Sequence, residues 1–515
     1  MWKLILRWLE QIFDKLANKI MPSLSLDQFV NDYDKTESLR AIAALQLLPE
    51  NHGKNLRFEM LLKKIVADGQ SSKKKISRKK LQEFFKANFR SYYMEDPVSA
   101  LFTENIIFFG GDFTVFPGIN SHGTVLVNTY LEAIFTFDND LPANFKEIIY
   151  DGVQCMLSLS NEVAAKASLK RYIFQRPTKN AIKVPDRKLY DRLHESAFID
   201  QKTIEGLAER YRFDITAIAH FTVDPATDDF SDDDPDNNPV AVKPIVKHEN
   251  GVILINPGAS LNAITEFILA QSRQLNCFSQ LLNVLYQWQW LRVKQLLHDI
   301  HWHETNITLP VANNLPAEEA VYRFDNNKLA YVCFVKPSSV PQSSSLQSVN
   351  DREQQVIKYL HELNGKVKYR YLTLFILGEY GGTTFFAFNK PSEDNATVTF
   401  SFTDLKTLVD SGDLDALTIW KFAKVYKITS EKTDISSFGG MLDSFVIFNE
   451  NSGSLLHSDH ARPDFLQFPI GNSDDFRREV YRKRDEHSVL KFSTQGTVHA
   501  PVKRLRKYGP VFIEL

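Results

Sequence analysis

The sequence predicts an α+β protein with a helix-rich N-terminal half, a helical middle segment and a C-terminal α/β-type domain that contains a mixed sheet. Apolar residues recur with helical spacing from Leu26 to about Phe213 and again from Ser260 to about Ile300. Beyond Asp351 the pattern changes, because the short apolar runs 371–377 and 397–402 have the length and composition of strands.

Breaks in composition divide the chain further. Residues 223–239 hold seven aspartates and few apolar side chains, and residues 336–350 are rich in Ser and Pro, so both are predicted to be linkers. The predicted units are 1–21 as an amphipathic leader helix, 22–222 as a helix-rich N-terminal domain, 223–239 as an acidic linker, 240–335 as a helical middle segment, 336–350 as a Ser/Pro-rich linker, and 351–515 as the C-terminal α/β-type domain.

Local signals place individual elements inside these units. Ser77 precedes a helical pattern that reaches about Asn88 and is predicted to be its N-cap. Residues 106–109 and 114–116 flank a Gly-Gly-Asp turn, which is typical of a β-hairpin. Thr403 and Asp404 follow a strand-like run and are predicted to cap a helix.

The composition excludes several classes of protein. The 515 residues carry a formal net charge of -2, so attraction to nucleic acid or to an anionic membrane would need a local patch. Cys155, Cys277 and Cys333 are far apart and form no C-x-x-C, which disfavours a disulfide framework and favours a reducing compartment. No run of 18 uncharged apolar residues occurs, so no membrane-spanning helix is predicted.

Residues 1–20 have the pattern of an amphipathic helix. Their apolar side chains form one stripe at helical spacing: Trp2, Ile5, Leu9, Ile12, Phe13, Leu16 and Ile20. Four basic and two acidic side chains give the segment a charge of +2, which attracts anionic lipid only weakly. Three covers for the stripe are open: the chain's own body, a partner protein or second copy of the chain, or a membrane surface. We expect docking on protein, with contact to a partner or a second copy as the leading form and a membrane surface as the weaker alternative.

Two groups of histidines resemble metal or acid–base sites. His298, His301 and His303 follow one another closely enough to share a metal ion. The spacing is not that of H-E-x-x-H, however, and the favoured explanation is a polar helix end, where histidines interact well with the helix dipole. The second group lies near the C-terminus and could form a metal or acid–base site if its members converged. Its members are His457, Asp459, His460, Asp485 and His487.

The order of elements from 351 to 408 is loosely that of a metal-dependent nuclease core. Such cores hold Mg²⁺ with an acidic residue near one strand end and an acid-x-lysine on the next strand. Glu379 and Lys390 are available, but Phe386, Ala387 and Phe388 stand where the middle acid is expected. The order predicts at most a fold of this kind without its chemistry.

Clusters of basic residues are the candidates for contact with nucleic acid. Such patches pair with phosphates, but a solvated surface gives the same pattern, and no groove-reading motif accompanies them. The candidates are Lys73, Lys74, Lys75, Arg78, Lys79, Lys80, Arg477, Arg478 and Arg482.

Four stretches resemble a group of long, poorly characterised bacterial proteins. They are residues 43–51, Phe116-Pro117-Gly118, Trp420-Lys421-Phe422-Ala423 and Arg484-Asp485-Glu486-His487. The resemblance implies a bacterial cytoplasmic protein, and some proteins of this kind stand beside nuclease or defence functions. It implies no activity and no catalytic residue.

The sequence favours a non-catalytic interaction or regulatory component of a bacterial assembly, without a cofactor. One alternative is a metal-dependent hydrolase or nuclease that uses the C-terminal His/Asp group and a divalent metal. The other is a nucleic-acid-binding accessory protein that uses the basic clusters.

Overall fold

The structure is a computed structural model, and it describes most of the chain between residues 25 and 429. The described residues are 25–72, 74–88, 101–118, 123–175, 181–231, 238–312, 317–336, 344–365, 369–380, 395–410 and 414–429, together with Phe445 and Phe448. The leader helix predicted for residues 1–20 lies outside them.

Helices account for most of the described N-terminal half and part of the C-terminal half. Their bounds are α1 Leu26–Asp32, α2 Lys35–Gln46, α3 Asn55–Asp68, α4 Arg78–Asn88, α5 Gly123–Phe135, α6 Ala143–Lys166, α7 Arg187–Ser196, α8 Gln201–Tyr211, α9 Pro239–Val242, α10 Ser260–Gln274, α11 Phe278–Asp299, α12 Ser344–Asn364, α13 Phe402–Asp410 and α14 Thr418–Thr429. None of the helices in these described ranges combines the length and apolar character needed to cross a membrane.

Side-chain caps define where several helices begin. Ser25 and Gln28 form a reciprocal capping box at the start of α1. Asp186 and Asp200 accept hydrogen bonds from the first backbone amides of α7 and α8. The backbone amide of Lys80 donates to the Ser77 hydroxyl at 3.3 Å, so the predicted N-cap of α4 is confirmed.

The described strands form three sheets. They are β1 Glu104–Phe108, β2 Gly111–Val115, β3 Phe198–Asp200, β4 Ile245–His248, β5 Gly251–Leu254, β6 His303–Glu304, β7 Ala317–Asp325, β8 Lys328–Val335, β9 Arg370–Leu377 and β10 Asn395–Ser401. The pair β1–β2 is the hairpin that the sequence predicts, and β3, β5 and β4 form a small antiparallel sheet. The other five strands form a mixed sheet in the order β10-β9-β8-β7-β6.

The mixed sheet confirms the α+β fold class and corrects the prediction for the middle segment. Strands β4 to β8 lie inside residues 240–335, which the sequence predicted as a helical segment, and β6 to β8 belong to the mixed sheet. Strand β8 is buried along almost its whole length, so its sequence is an apolar run without alternation and gives no clear strand signal. Phe445 and Phe448 have helical backbone.

The mixed sheet is the centre of a three-layer arrangement. Helix α12 connects β8 to β9, which run parallel to each other, and it packs on one face of the sheet. Helices α11, α13 and α14 cover the opposite face. The larger hydrophobic core continues from Phe29 to Phe448 and includes this second face, so it crosses the regions in which linkers are predicted. The predicted domain boundaries remain predictions.

The first part of the predicted acidic linker contacts the body of the protein. Val223 is buried, and its amide donates to the carbonyl of Ile245 at 2.8 Å. Asp228 forms an ion pair with Lys243, which brings one of the seven carboxylates against a basic group. Residues 232–237 lie outside the described residues.

Candidate functional site

The carboxyl ends of the three parallel strands form the most distinctive edge of the mixed sheet. Strands β8, β9 and β10 run in the same direction, with Val335 opposite Leu377 and Leu377 opposite Ser401 at their ends. Ligand sites in sheets of this type lie outside the carboxyl ends of the strands, because the connecting loops meet there. We therefore take this edge as the candidate site.

Glu379 follows β9 at this edge and is held by neighbouring elements. The backbone amide of Thr403 donates to Glu379 Oε2 at 3.0 Å, and the Thr403 hydroxyl donates to the same oxygen. Burial raises the pKa of the Glu379 carboxyl group, and hydrogen bonds from Thr403 and Ser401 act in the opposite direction. The sequence named this residue as a nuclease-type acid, and the structure shows it joining β9 to the start of α13.

Helix α11 holds the backbone amide and the backbone carbonyl of Glu379. Gln289 Nε2 donates to the carbonyl of Glu379 at 2.6 Å, and the amide of Glu379 donates to Gln289 Oε1 at 3.1 Å. The Tyr130 hydroxyl of α5 donates to the carbonyl of Tyr380. The edge is therefore attached to two helices outside the sheet, which restricts how far Glu379 can move.

A second carboxyl group, that of Asp404, lies fully buried in the first turn of α13. A negative charge is favourable there because the first backbone amides of a helix carry partial positive charge. The amide of Asp404 donates to Ser401 Oγ at 3.0 Å, so Ser401 acts as the N-cap, not Thr403 or Asp404 as predicted. The spacing Ser-x-x-Asp is the sequence signal for this arrangement.

Two carboxyl groups at a strand edge could bind a cation or donate a proton, but a divalent ion needs more oxygen ligands. In the described ranges, no group of three or more His, Cys, Asp or Glu side chains is placed to hold a metal ion. Lys390 and residues 386–388 of the predicted nuclease pattern lie outside those ranges. The described geometry therefore supports a structural tether at this edge more directly than it supports catalysis.

The structure brings together two of the three histidines predicted near residue 300. The His298 and His303 rings lie edge to face with their centroids 6.3 Å apart. His301 has left-handed backbone, with φ of 65°, and all three side chains are exposed. The C-terminal candidates His457, Asp459, His460, Asp485 and His487 lie outside the described residues.

Most of the described basic candidates are paired within the chain. Lys74 lies 3.3 Å from an Asp32 carboxylate oxygen, and Lys75 lies 3.3 Å from Glu37. Lys80 pairs with Glu83 at 2.9 Å. These pairs lower the net positive charge of the patch. Lys73, Arg477, Arg478 and Arg482 lie outside the described residues.

The remaining two basic candidates differ from each other. The Arg78 guanidinium donates to the carbonyl of Pro185 at 2.7 Å, which directs it toward the protein. Lys79 is exposed. The patch around α4 therefore presents less positive charge to solvent than its sequence suggests.

The three cysteines are buried and form no disulfide. Burial raises the pKa of the Cys333 thiol to about 12 and also raises the pKa of Cys155 and Cys277. A thiol with a raised pKa is a poor nucleophile at neutral pH, so these residues do not resemble catalytic cysteines.

Comparisons with protein-family models, with curated proteins and with solved structures found no match for the chain. The resemblance of four stretches to long bacterial proteins therefore remains a prediction from the sequence.

Proposed function

We propose that the protein is a non-catalytic interaction component of a bacterial cytoplasmic assembly, and that residues 1–20 provide its contact with another protein. The observation that carries this proposal concerns Glu379, the candidate nuclease-type acid among the described residues. Its carboxyl group makes its hydrogen bonds to other parts of the protein. Glu379 accepts hydrogen bonds from Thr403, and Gln289 holds its backbone on both sides. A carboxyl group used in this way stabilises the carboxyl edge of the sheet.

The contacts of the basic residues around α4 support the same proposal. Lys74, Lys75 and Lys80 each have a carboxylate partner within 3.3 Å. Exposed ion pairs of this kind contribute little to stability, typically less than about 1 kcal/mol. They nevertheless compete with phosphate for the lysine side chains, so the patch is a weak candidate for binding nucleic acid.

The apolar stripe of residues 1–20 supplies the proposed docking surface. An apolar stripe of this width is stable in water only when something covers it. A second copy of the chain or a different protein would provide that cover. A helix charge of only +2 is a small contribution to membrane binding, which makes protein the preferred partner.

The proposal can be tested with two single substitutions that change the charge of residues 1–20 equally. Leu9→Asp places a carboxylate in the apolar stripe, whereas Asn18→Asp places one on the polar side. Each variant would be purified in tagged form from bacterial cells, and its mass and co-purifying proteins measured by light scattering and quantitative mass spectrometry. We expect Leu9→Asp to lose a stoichiometric partner or to lower the assembled mass, and Asn18→Asp to behave as the unchanged protein.

The same measurement distinguishes the alternatives. Equal masses and equal co-purifying proteins for all three forms would contradict docking through residues 1–20. Flotation with anionic liposomes that is lost only in Leu9→Asp would favour a membrane surface. Cleavage of DNA or RNA that depends on an added divalent metal would replace the proposal with a catalytic function.

A further inference from the structure

A small cavity lies in the N-terminal half, where three separate parts of the chain meet. Its volume is about 20 Å³. Its walls are formed by three parts of the chain: the stretch from the end of α2 to the start of α3, the stretch that includes Phe102 and the turn at Gly118, and the turn at Gly258. The lining side chains used below are Gln46, His52, Asn55, Phe102 and Phe116. Two of the lining segments belong to the stretches that resemble bacterial proteins, 43–51 and Phe116-Pro117-Gly118.

The two glycines show how closely these segments approach each other. Gly118 has left-handed backbone with φ of +68°, and a Cβ atom there would lie 1.8 Å from the carbonyl oxygen of Gly258. A Cβ atom on Gly258 would lie 2.1 Å from Asn55 Nδ2. The two turns are therefore in close contact, and the turn at Gly258 also contacts the Asn55 side chain, which lines the cavity.

Gln46 has a polar atom that no described part of the protein pairs. The residue is 8% exposed, and its Nε2 donates to the carbonyl of Ile255 at 2.8 Å. Its Oε1 is buried and has no hydrogen-bond partner among the described residues. A buried acceptor without a partner costs about 1–3 kcal/mol, so native proteins pair such atoms with a side chain or with ordered water.

The volume and the lining residues of the cavity determine which ligand fits. A cavity needs roughly 10–15 Å³ to hold one water molecule, which itself needs two to four polar partners. Gln46 Oε1 accepts one hydrogen bond, and the Asn55 amide lies at the wall. Aromatic rings also line the cavity: the His52 and Phe102 rings lie edge to face with centroids 5.6 Å apart, and Phe116 packs on Phe102 with centroids 5.7 Å apart. A metal cation would need several more oxygen ligands than these residues offer.

We propose that this cavity is a binding site for one water molecule that donates a hydrogen bond to Gln46 Oε1. The water joins α2 to the turns at Gly118 and Gly258. It thereby gives a hydrogen-bond partner to the second polar atom of a glutamine that is buried at the end of α2.

A crystal structure of the full chain at about 1.8 Å resolution tests the proposal. We expect a single density peak roughly 2.7–3.2 Å from Gln46 Oε1. The variant Gln46→Leu should lose this peak while its neighbours stay in place. Because the map of the unchanged protein is informative alone, the test survives if the variant does not fold.

Three results would overturn the proposal. The first is a well-defined Gln46 side chain with no peak beside it. The second is a peak that persists unchanged in Gln46→Leu, because Gln46 would then not hold the ligand. The third is an anomalous signal at this position in crystals soaked with rubidium, which would identify a site for a monovalent cation.

Discussion

The two faces of the mixed sheet differ in chemistry, although the same strands build both. The face under α11, α13 and α14 is apolar across four strands, as in the row Ala320, Val332, Leu374 and Val398. The face under α12 carries polar groups among its apolar ones, including Tyr331, Thr373 and Thr397 at one level of the sheet. The first face provides burial, and the second provides directional contacts that fix how α12 lies on the sheet.

An ion pair dominates the polar face. Arg352 of α12 is 3% exposed and its Nε donates to Glu319 Oε2 of β7 at 3.1 Å. The Tyr331 hydroxyl donates to the same oxygen at 2.9 Å, and Arg352 also donates to the carbonyl of Pro310. Such a network is a weak source of net stability because both charges lose water, but it admits few alternative arrangements.

The largest effect is expected on the apolar face from Phe334→Ala. The ring is fully buried and contacts Tyr286 and Trp290 of α11 at centroid distances of 6.2 and 6.0 Å. Its loss removes buried apolar area and leaves a cavity, which should lower the free energy of unfolding by about 3–5 kcal/mol. Denaturant unfolding measures this, with the exposed Leu363→Ala as the control. A loss below about 1 kcal/mol would show that this face is not the main source of stability.

On the polar face, Arg352→Met should cost about 3 kcal/mol, because it leaves the Glu319 carboxylate partly buried without its partner. The double variant Arg352→Met with Glu319→Leu should recover much of that loss, since no charge is then left unpaired. Equilibrium unfolding of the unchanged protein, Arg352→Met, Glu319→Leu and the double variant gives the coupling energy directly. If the double variant is no more stable than Arg352→Met alone, the pair stabilises the fold in its own right and the contrast between the faces fails.

The sequence predicts elements that have a local pattern and misses those that do not. The hairpin β1–β2, the N-cap Ser77 and the α+β class follow from local patterns, and the structure agrees with them. Strand β8 does not follow from a local pattern, because a strand buried on both faces shows no alternation of apolar and polar residues. Only its pairing with β7 and β9 identifies it.

The candidate site was predictable only in part. Glu379 stands out in the sequence as an acid after a strand, but its contact with Gln289 joins residues 90 positions apart. The cavity beside Gln46 likewise depends on two turns that only the fold brings together. Local patterns carry no information about such contacts. The cap at Ser401 is a local pattern, Ser401-x-x-Asp404, but the predicted cap, Thr403 and Asp404, lies at least two residues too far along the chain.

A smaller effect is expected from Thr397→Val, a change that keeps the shape of the side chain. Thr397 is 6% exposed and its hydroxyl donates to Glu353 Oε1 of α12 at 3.2 Å. Removing one donor from a buried carboxylate should cost about 1 kcal/mol. Thr399→Val, on the same face of the same strand but less buried, serves as the matched control and should stay within about 0.5 kcal/mol. Equal losses in the two variants would mean that strand packing, not the contact with α12, is being measured.

The last prediction concerns pH and the end of the polar face, where Ser401 and Thr403 meet Glu379. Burial raises the folded-state pKa of Glu379 above the ordinary value for glutamate, roughly 4.3. Between the two values the folded protein holds a proton that the unfolded chain has released. Stability contributed by this group is therefore present at low pH and is lost as pH rises from the ordinary value through the raised one.

Glu379→Gln cannot titrate, so its free energy of unfolding should fall less than that of the unchanged protein as pH rises from about 4 toward 7. The measurement is the difference between the two stability curves. The contributions of Glu266, whose pKa is raised, and of Asp200, whose pKa is lowered, drop out of that difference because both proteins contain these groups. The exposed Glu209→Gln is the control and should follow the unchanged protein. A difference that runs in the opposite direction would mean that the hydrogen bonds from Thr403 and Ser401 outweigh burial, and that the carboxyl edge holds a stabilised carboxylate of the kind a cation site requires.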